Sequence, residues 1–263
     1  MQKDRQEVIQ NLLDYIIKHY SWDIFYTNFN TDSKEYDLFL NEITARGFPY
    51  VLYPTDTSPY LLMDLPLEEV LKSKSRKFRS NLRYYEKKLR KAGDFDLERV
   101  TSQDGIDGVM EAIFQIEEHS WKSEASTAIT SVERQQAFFI KLAEKAADAG
   151  WLKIQLIRMG GVPISYAYGL IFNGKYYLEK TSYHNEWASF SPGNVLLWIN
   201  LQEAFREGLE EFDFLGKSES YKLKWTDKVR PHNTVYVYNK RIIPLLGYYG
   251  NRLFKKLQMF VKK

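Results

Sequence analysis

The sequence predicts a mixed α+β fold, and three observations carry that expectation. Residues Trp151–Tyr183 contain three β-type segments joined by short glycine turns. A helix-type stripe follows Ser191-Pro192-Gly193-Asn194, and short strand and helix segments succeed it. The first half has the same alternation of helix and strand but lacks the three opening strands. Antiparallel hairpins interleaved with helices make a mixed sheet flanked by helices, here preceded by a partial copy of its own second half.

Each element has a local reason. Val8, Leu12, Tyr15, Ile16 and Tyr20 stripe a first helix, followed by a strand over Trp22–Phe29 and a helix from about Ser33 to Arg46. Two strands follow around Tyr50–Tyr53 and Tyr60–Leu65. Trp22-Asp23-Ile24-Phe25 stands in this half where Glu211-Phe212-Asp213-Phe214 stands in the second, which suggests a degenerate repeat. Between Lys72 and Lys91, Phe78, Leu82, Tyr85 and Leu89 recur at helical spacing. That segment holds ten Lys or Arg against the single acid Glu86, so its polar face carries one sign of charge and calls for an anionic partner. Thr130-Ser131-Val132-Glu133 reads as a capping box that opens a helix with Phe138, Leu142 and Ala146 on one face.

The second half is the more regular. Leu152, Ile154 and Leu156 alternate with Lys153 and Gln155, Gly160-Gly161 turns the chain into Ile164–Phe172, and Asn173-Gly174 leads into Lys175–Tyr183. Leu197, Leu201, Ala204 and Phe205 stripe a helix from about Val195 to Gly208. A short strand over Glu211–Leu215, a short helix over Ser218–Trp225 and a last strand over Thr234–Tyr238 complete the order. Leu246, Tyr249, Leu253, Leu257 and Phe260 then recur among Arg252, Lys255, Lys256, Lys262 and Lys263, a second cationic amphipathic helix.

Composition narrows the chemistry. Without cysteine there is no thiol nucleophile, disulfide or thiolate metal site, and His19, His119, His184 and His232 lack ligand spacing, so no metal is expected. The longest apolar run, Val195–Ile199, is far too short to span a bilayer, and Met1-Gln2-Lys3-Asp4-Arg5 opens no hydrophobic signal region. The expected location is the cytoplasm. The two cationic helices, Lys72–Lys91 and Leu245–Lys263, suggest peripheral contact with the anionic inner membrane surface. Ser191–Leu196 is a helix start, where unpaired N–H groups and the positive end of the dipole favour phosphate oxygens. Gly193 permits close approach, Pro192 presets the first turn, and Val195 and Leu196 anchor the helix.

The tract Tyr183-x7-Ser191-Pro192-Gly193-Asn194-x-Leu196-Leu197, then Asp213-Phe214-Leu215-Gly216, then Tyr221-Lys222-x-x-Trp225 resembles the GNAT-type acyltransferases grouped with the cellulose-biosynthesis CelD proteins. That group is distantly related to the FemAB peptidyl transferases. Ser75–Arg83 and Ser120-Trp121-Lys122 also resemble it, so the likeness spans about Ser73 to Trp225. It implies a degenerate GNAT-like half over residues 1–71, a basic connecting helix over 72–92, a complete GNAT domain over 93–240 and a basic C-terminal helix over 241–263.

The resemblance also implies an acyl-CoA donor, acetyl-CoA or longer, whose pyrophosphate meets Ser191, Pro192, Gly193, Asn194, Val195 and Leu196. A small amine, on a sugar or lipid intermediate of envelope or polysaccharide synthesis, is the implied acceptor. Glu179, among Tyr176, Tyr177 and Leu178, is the first candidate base, because loss of solvation raises a carboxyl pKa. His184 is the alternative base and Tyr221 the candidate acid for the leaving thiolate. Lys222 pairs either with the donor's phosphates or with Asp213. Two other readings stand beside this one: a FemAB-like transferase using aminoacyl-tRNA, which the basic helix would suit, and a binding module without catalysis.

Overall fold

A computed structural model of the chain describes residues 2–120 and 133–250. It divides into two units, Met1–Ser58 with Val229–Lys263, and Pro59–Lys228. In the first, α1 (Gln2–His19), β1 (Ile24–Asn30), α2 (Lys34–Ala45) and β2 (Tyr50–Pro54) follow in order. Ser33 caps α2 by accepting a hydrogen bond from the Tyr36 N–H. Leu13, Phe39 and Ile43 form its core with Ile9 packed alongside, whereas Val8, Leu12, Tyr15 and Tyr20 are exposed. The stripe expected on α1 therefore faces outward. Adjacent apolar residues at Leu12 and Leu13 leave two faces to choose from, and packing on α2 selects the Ile9–Leu13 face.

The second unit begins with β3 (Ser58–Leu62), α3 (Leu67–Lys72), α4 (Arg76–Lys91), β4 (Phe95–Val100), α5 (Ile106–Glu118) and α6 (Glu133–Asp148). The meander β5 (Leu152–Met159), β6 (Val162–Phe172) and β7 (Lys175–Tyr183) follows as its alternation and glycine turns predict. A 3-10 turn over Asn185–Phe190 leads to α7 (Pro192–Arg206), β8 (Glu211–Asp213) and α8 (Ser220–Leu223). The mixed sheet runs β4-β5-β6-β7-β8-β3, antiparallel except for the parallel pair β7 and β8.

Helices cover both faces of this sheet. Ile113 and Ile116 of α5 and Ala143 and Ala146 of α6 pack on Leu152, Ile154, Leu156, Tyr166 and Tyr168. Leu82 and Leu89 of α4 and Val195, Leu196 and Leu201 of α7 pack on Ile157, Ala167, Tyr176 and Leu178. The polar side of β5 is buried too: Glu203 of α7 receives Gln155 at 2.7 Å and Arg99 at 2.5 Å, and Lys153 lies at 3.3 Å.

Two boundaries differ from the expected ones. The last two strands, β9 (Val229–Arg230) and β10 (His232–Tyr238), lie in the first unit, where β10 pairs antiparallel with both β1 and β2. The strand expected to close a domain over 93–240 thus completes the first sheet, because Val235 and Val237 bury themselves beside Phe39 and Ile43. Conversely, β3 leaves the first half to pair with β8. The basic segment is no free connector either. Helix α4 is a wall of the second unit, pinned to α7 by the Trp198 indole N–H donating to Glu86 at 3.2 Å. Most of its apolar face packs in the core, so an anionic partner would meet α4 on its charged side.

No helix among the described residues is long and apolar enough to cross a membrane. Residues 242–250 are helical, with Leu246 and Tyr249 exposed. The rest of the expected C-terminal helix, the start of the capping box at 130–132, and Trp121 and Lys122 lie outside the described residues.

Candidate functional site

The site begins with one extra residue in β7. Across the ladder Tyr168 faces Lys180 and Gly169 faces Leu178, which leaves Glu179 opposite no residue of β6. A bulge of this kind bends its strand and sharpens the twist. Strands β7 and β8 pair from Lys175 and Glu211 only as far as Tyr177 and Asp213. Beyond that point β7 runs on to Tyr183, while the chain after β8 turns away through Leu215 and Gly216, both at positive φ (47° and 57°). Between the diverging segments opens a cleft of about 520 Å³, lined by β7 from Leu178 to Tyr183, by Gly193, Asn194 and Leu197 of α7, and by Phe214, Lys217, Glu219 and Tyr221.

The structure brings Glu179 and Tyr221 into this cleft. Glu179 is open to the cleft's solvent, yet the walls displace enough hydration to push its carboxyl pKa up, and the Asp213 carboxylate adds to the rise. Tyr221 is held firmly in its neutral form by burial, by the negative charge of Glu219 and by a hydrogen bond to that carboxylate. His184 is placed elsewhere. Its Nδ1 accepts from the Glu186 N–H at 3.3 Å, capping the 3-10 turn, and its ring stacks on His119 at 4.8 Å. It does not line the cleft beside Glu179.

Helix α7 starts at the cleft as the Ser-Pro-Gly-Asn spacing predicts. Ser191 adopts the left-handed conformation at φ 50°, Pro192 occupies the first turn, and the N–H groups of Asn194 and Val195 return to the Ser191 carbonyl at 3.0 and 3.1 Å. Gly193 and Asn194 face the cleft, whereas Pro192, Val195 and Leu196 are buried and anchor the helix. Gly193 is needed for packing as well: a Cβ there would lie 3.2 Å from the Tyr183 ring.

Lys222 lines the same cleft. Its ammonium donates to the Leu215 and Lys217 carbonyls at 2.8 and 3.3 Å and pairs with Glu219 at 2.7 Å. Asp213 accepts from the Leu215 N–H at 2.9 Å. The two residues together hold the 215–219 loop that forms one cleft wall. Sequence reasoning missed this loop role, whose signal was Gly216 followed six residues later by a lysine; an added Cβ at Gly216 would lie 3.3 Å from that ammonium. Among the described residues, no group of three or more His, Cys, Asp or Glu could hold a metal ion.

A meander, a bulged strand parting from its parallel neighbour and a helix start facing the gap can be compared with known families. Residues 76–223, more than half of the chain, match the family described as acetyltransferase (GNAT) domain. The chain belongs to the GNAT family. The matched segment starts at α4, so the basic helix belongs with the GNAT unit rather than before it.

Solved structures share this GNAT fold at low identity. A conserved protein of unknown function from Bacteroides thetaiotaomicron aligns with a TM-score of 0.58 at 12% identity, covering 89% of this chain and 75% of that one. The C-terminal domain of a putative lysylphosphatidylglycerol synthetase from Agrobacterium fabrum aligns at 0.58 and 13%, covering 92% and 75%. FemX aligns at 0.58 and 14%, covering 87% and 76%. A search of curated proteins finds no match.

Proposed function

We propose that this GNAT chain is an acyl-CoA-dependent N-acyltransferase of the CelD-like type, acting on an amine carried by a sugar or lipid intermediate. The observation that carries the reading is the meeting, in one cleft, of a carboxyl biased toward a base, a neutral phenol, and the glycine-bearing start of α7. The donor's thioester lies between β7 and the loop after β8, with its pyrophosphate at Gly193 and Asn194. Glu179 takes a proton from the ammonium of the acceptor, and the freed amine attacks the thioester carbonyl. The tetrahedral intermediate expels the thiolate, Tyr221 gives that thiolate its proton, and the second proton that the nitrogen sheds as the amide forms returns to the Tyr221 phenolate. Lys222 fixes the loop that carries Glu219 and Tyr221 and, as a residue of the cleft wall, also offers its charge to the donor's phosphates.

A second reading keeps one observation in its favour. The outward side of α4 carries Arg76, Lys77, Arg83, Lys87 and Lys91, all exposed, which suits the phosphates of an aminoacyl-tRNA donor, and the fold is shared with FemX. The same side chains suit a charge-only contact with an anionic membrane in the cytoplasm. Turnover assays decide between donors: acetyl-CoA with a panel of amines should give amide, and Glu179→Gln and Tyr221→Phe should each lower kcat by about 10²-fold or more with donor binding nearly intact. Unchanged rates in both variants would remove these residues from the mechanism and leave a scaffold without this chemistry.

A further inference from the structure

The core of the first unit leaves a set of apolar side chains in solvent. On α1, Val8, Leu12 and Tyr15 recur at helical spacing away from the buried Leu13, and all three are more than half exposed. Tyr20 and, on the outer face of β1, Ile24 and Tyr26 add to them. The helix over residues 242–250 does the same. Its Pro244 is buried and Leu245 and Tyr248 are partly buried, whereas Ile242, Ile243, Leu246 and Tyr249 share the opposite side at 77%, 77%, 67% and 62% exposure.

Contacts join these groups into one surface. The Tyr15 ring meets Tyr20 edge-on at 6.0 Å. Just beyond, the Arg241 guanidinium donates to the Ser21 hydroxyl at 3.4 Å and pairs with Asp23 at 3.8 Å, and the Asn239 amide donates to the Trp22 carbonyl at 3.0 Å. The 242–250 helix therefore begins beside the end of α1. Ile24 faces Tyr238 across the ladder, and the Tyr238 ring packs on Tyr248.

The charge around this surface has one sign. No Asp or Glu follows Asp227 in the sequence, whereas nine Lys or Arg do, among them Lys240, Arg241, Arg252, Lys255 and Lys256. Lys18 adds a cation in the last turn of α1. The nearby acids are engaged: Asp14 pairs with Arg46 at 2.5 Å and Asp23 with Arg241, while Asp4 and Glu7 lie at the far end of α1. A nucleic acid answers the charge but leaves Ile242, Ile243 and Leu246 in water. An apolar protein groove answers these and leaves the cations unmatched. The interface of a bilayer with anionic headgroups answers both, because apolar side chains reach the acyl boundary while phosphates meet the cations.

We propose that the first unit docks on an anionic lipid bilayer through the Ile243 and Leu246 side of the 242–250 helix, together with Tyr15 and Tyr20 at the end of α1 and Ile24. Helix α4, whose apolar residues mostly pack inside the second unit, is not the docking element. The 242–250 helix lies along the interface and does not cross the bilayer. Docking is independent of the donor. Its consequence, that an acceptor amine borne on a lipid is met where it resides, rests on the amine-acceptor reading above.

Flotation of the full chain with vesicles tests docking without turnover. Vesicles of equal parts phosphatidylcholine and phosphatidylglycerol should bind the wild type about tenfold or more tighter than phosphatidylcholine alone, and added salt should weaken that binding. Ile243→Glu and Leu246→Glu should each lower the affinity by about tenfold and Tyr20→Glu severalfold, whereas Ile243→Leu should keep it. Each altered residue is exposed, so the fold tolerates the change. Arg83→Glu combined with Lys87→Glu on α4 should leave vesicle binding nearly unchanged. Wild-type affinity in both helix variants, loss of binding in the α4 double variant, or equal binding to the two kinds of vesicle overturns the proposal. Failure to bind either vesicle overturns it too; a dimer in sedimentation velocity that Ile243→Glu dissolves would then give the surface to a second copy. None of these outcomes bears on the cleft, whose chemistry is read separately with soluble amines.

Discussion

Glu179 owes its position to a residue on another strand. Its alternation with Leu178 and Lys180 is legible in the sequence, but alternation alone cannot say that the ladder slips beside it. The signal was Gly169, a glycine inside an otherwise bulky strand, which often marks a bulge or a close approach. Here it is both: a Cβ on Gly169 would lie 2.1 Å from the Tyr176 hydroxyl oxygen and 2.9 Å from the Lys153 carbonyl. Gly169→Ala should therefore destabilise the second unit by about 3 kcal/mol, read as a lowered denaturation midpoint. The electrostatics of Glu179 give a second expectation. A base acts only when deprotonated, and desolvation with Asp213 nearby raises its pKa, so kcat/KM should climb with pH through a value above the usual carboxylate range. Asp213→Asn removes part of that rise, so the ascending limb should move to lower pH.

At the scale of elements, what is local was legible and what is distant was not. The meander follows from alternation, Gly160-Gly161 and Asn173-Gly174, and α7 from Pro192, Gly193 and the apolar stripe behind them. The partners of β3 and β10 depend on strands more than a hundred residues away, and nothing in either segment names them. Helix α4 was legible as amphipathic, but its pattern does not reveal whether a membrane or a protein core takes the apolar face; the core takes most of it. The loop after β8 is the element on which cleft shape depends. Lys222→Met leaves its two carbonyls and Glu219 without their ammonium, and should cost about 2 kcal/mol of stability while raising the donor's KM severalfold. A variant with wild-type KM and midpoint would show that the loop needs no such pin.

Across the whole second unit, Glu203 joins α7 to β4 and β5 through Arg99, Lys153 and Gln155. Burial by itself would raise this carboxyl's pKa, but Arg99 and Lys153 more than offset it, and the net position is below the usual range. A depressed folded pKa stabilises the protein above the unfolded value, and that contribution is lost as pH falls through the folded one. Glu203→Gln should thus cost about 1–2 kcal/mol near neutral pH, less than a fully buried pair because Arg99 is half-exposed, and its penalty should shrink in acid. Urea denaturation at pH 7 and pH 3 measures both.

The cleft as a CoA-thioester site is tested most directly by titration calorimetry with acetyl-CoA. The wild type should bind one equivalent with a Kd between about 1 µM and 1 mM, in line with ordinary substrate affinities. Gly193→Val, which crowds the Tyr183 ring at the start of α7, should weaken binding by about tenfold or more without unfolding the chain. No binding of acetyl-CoA or any longer acyl-CoA by the folded wild type would contradict the account.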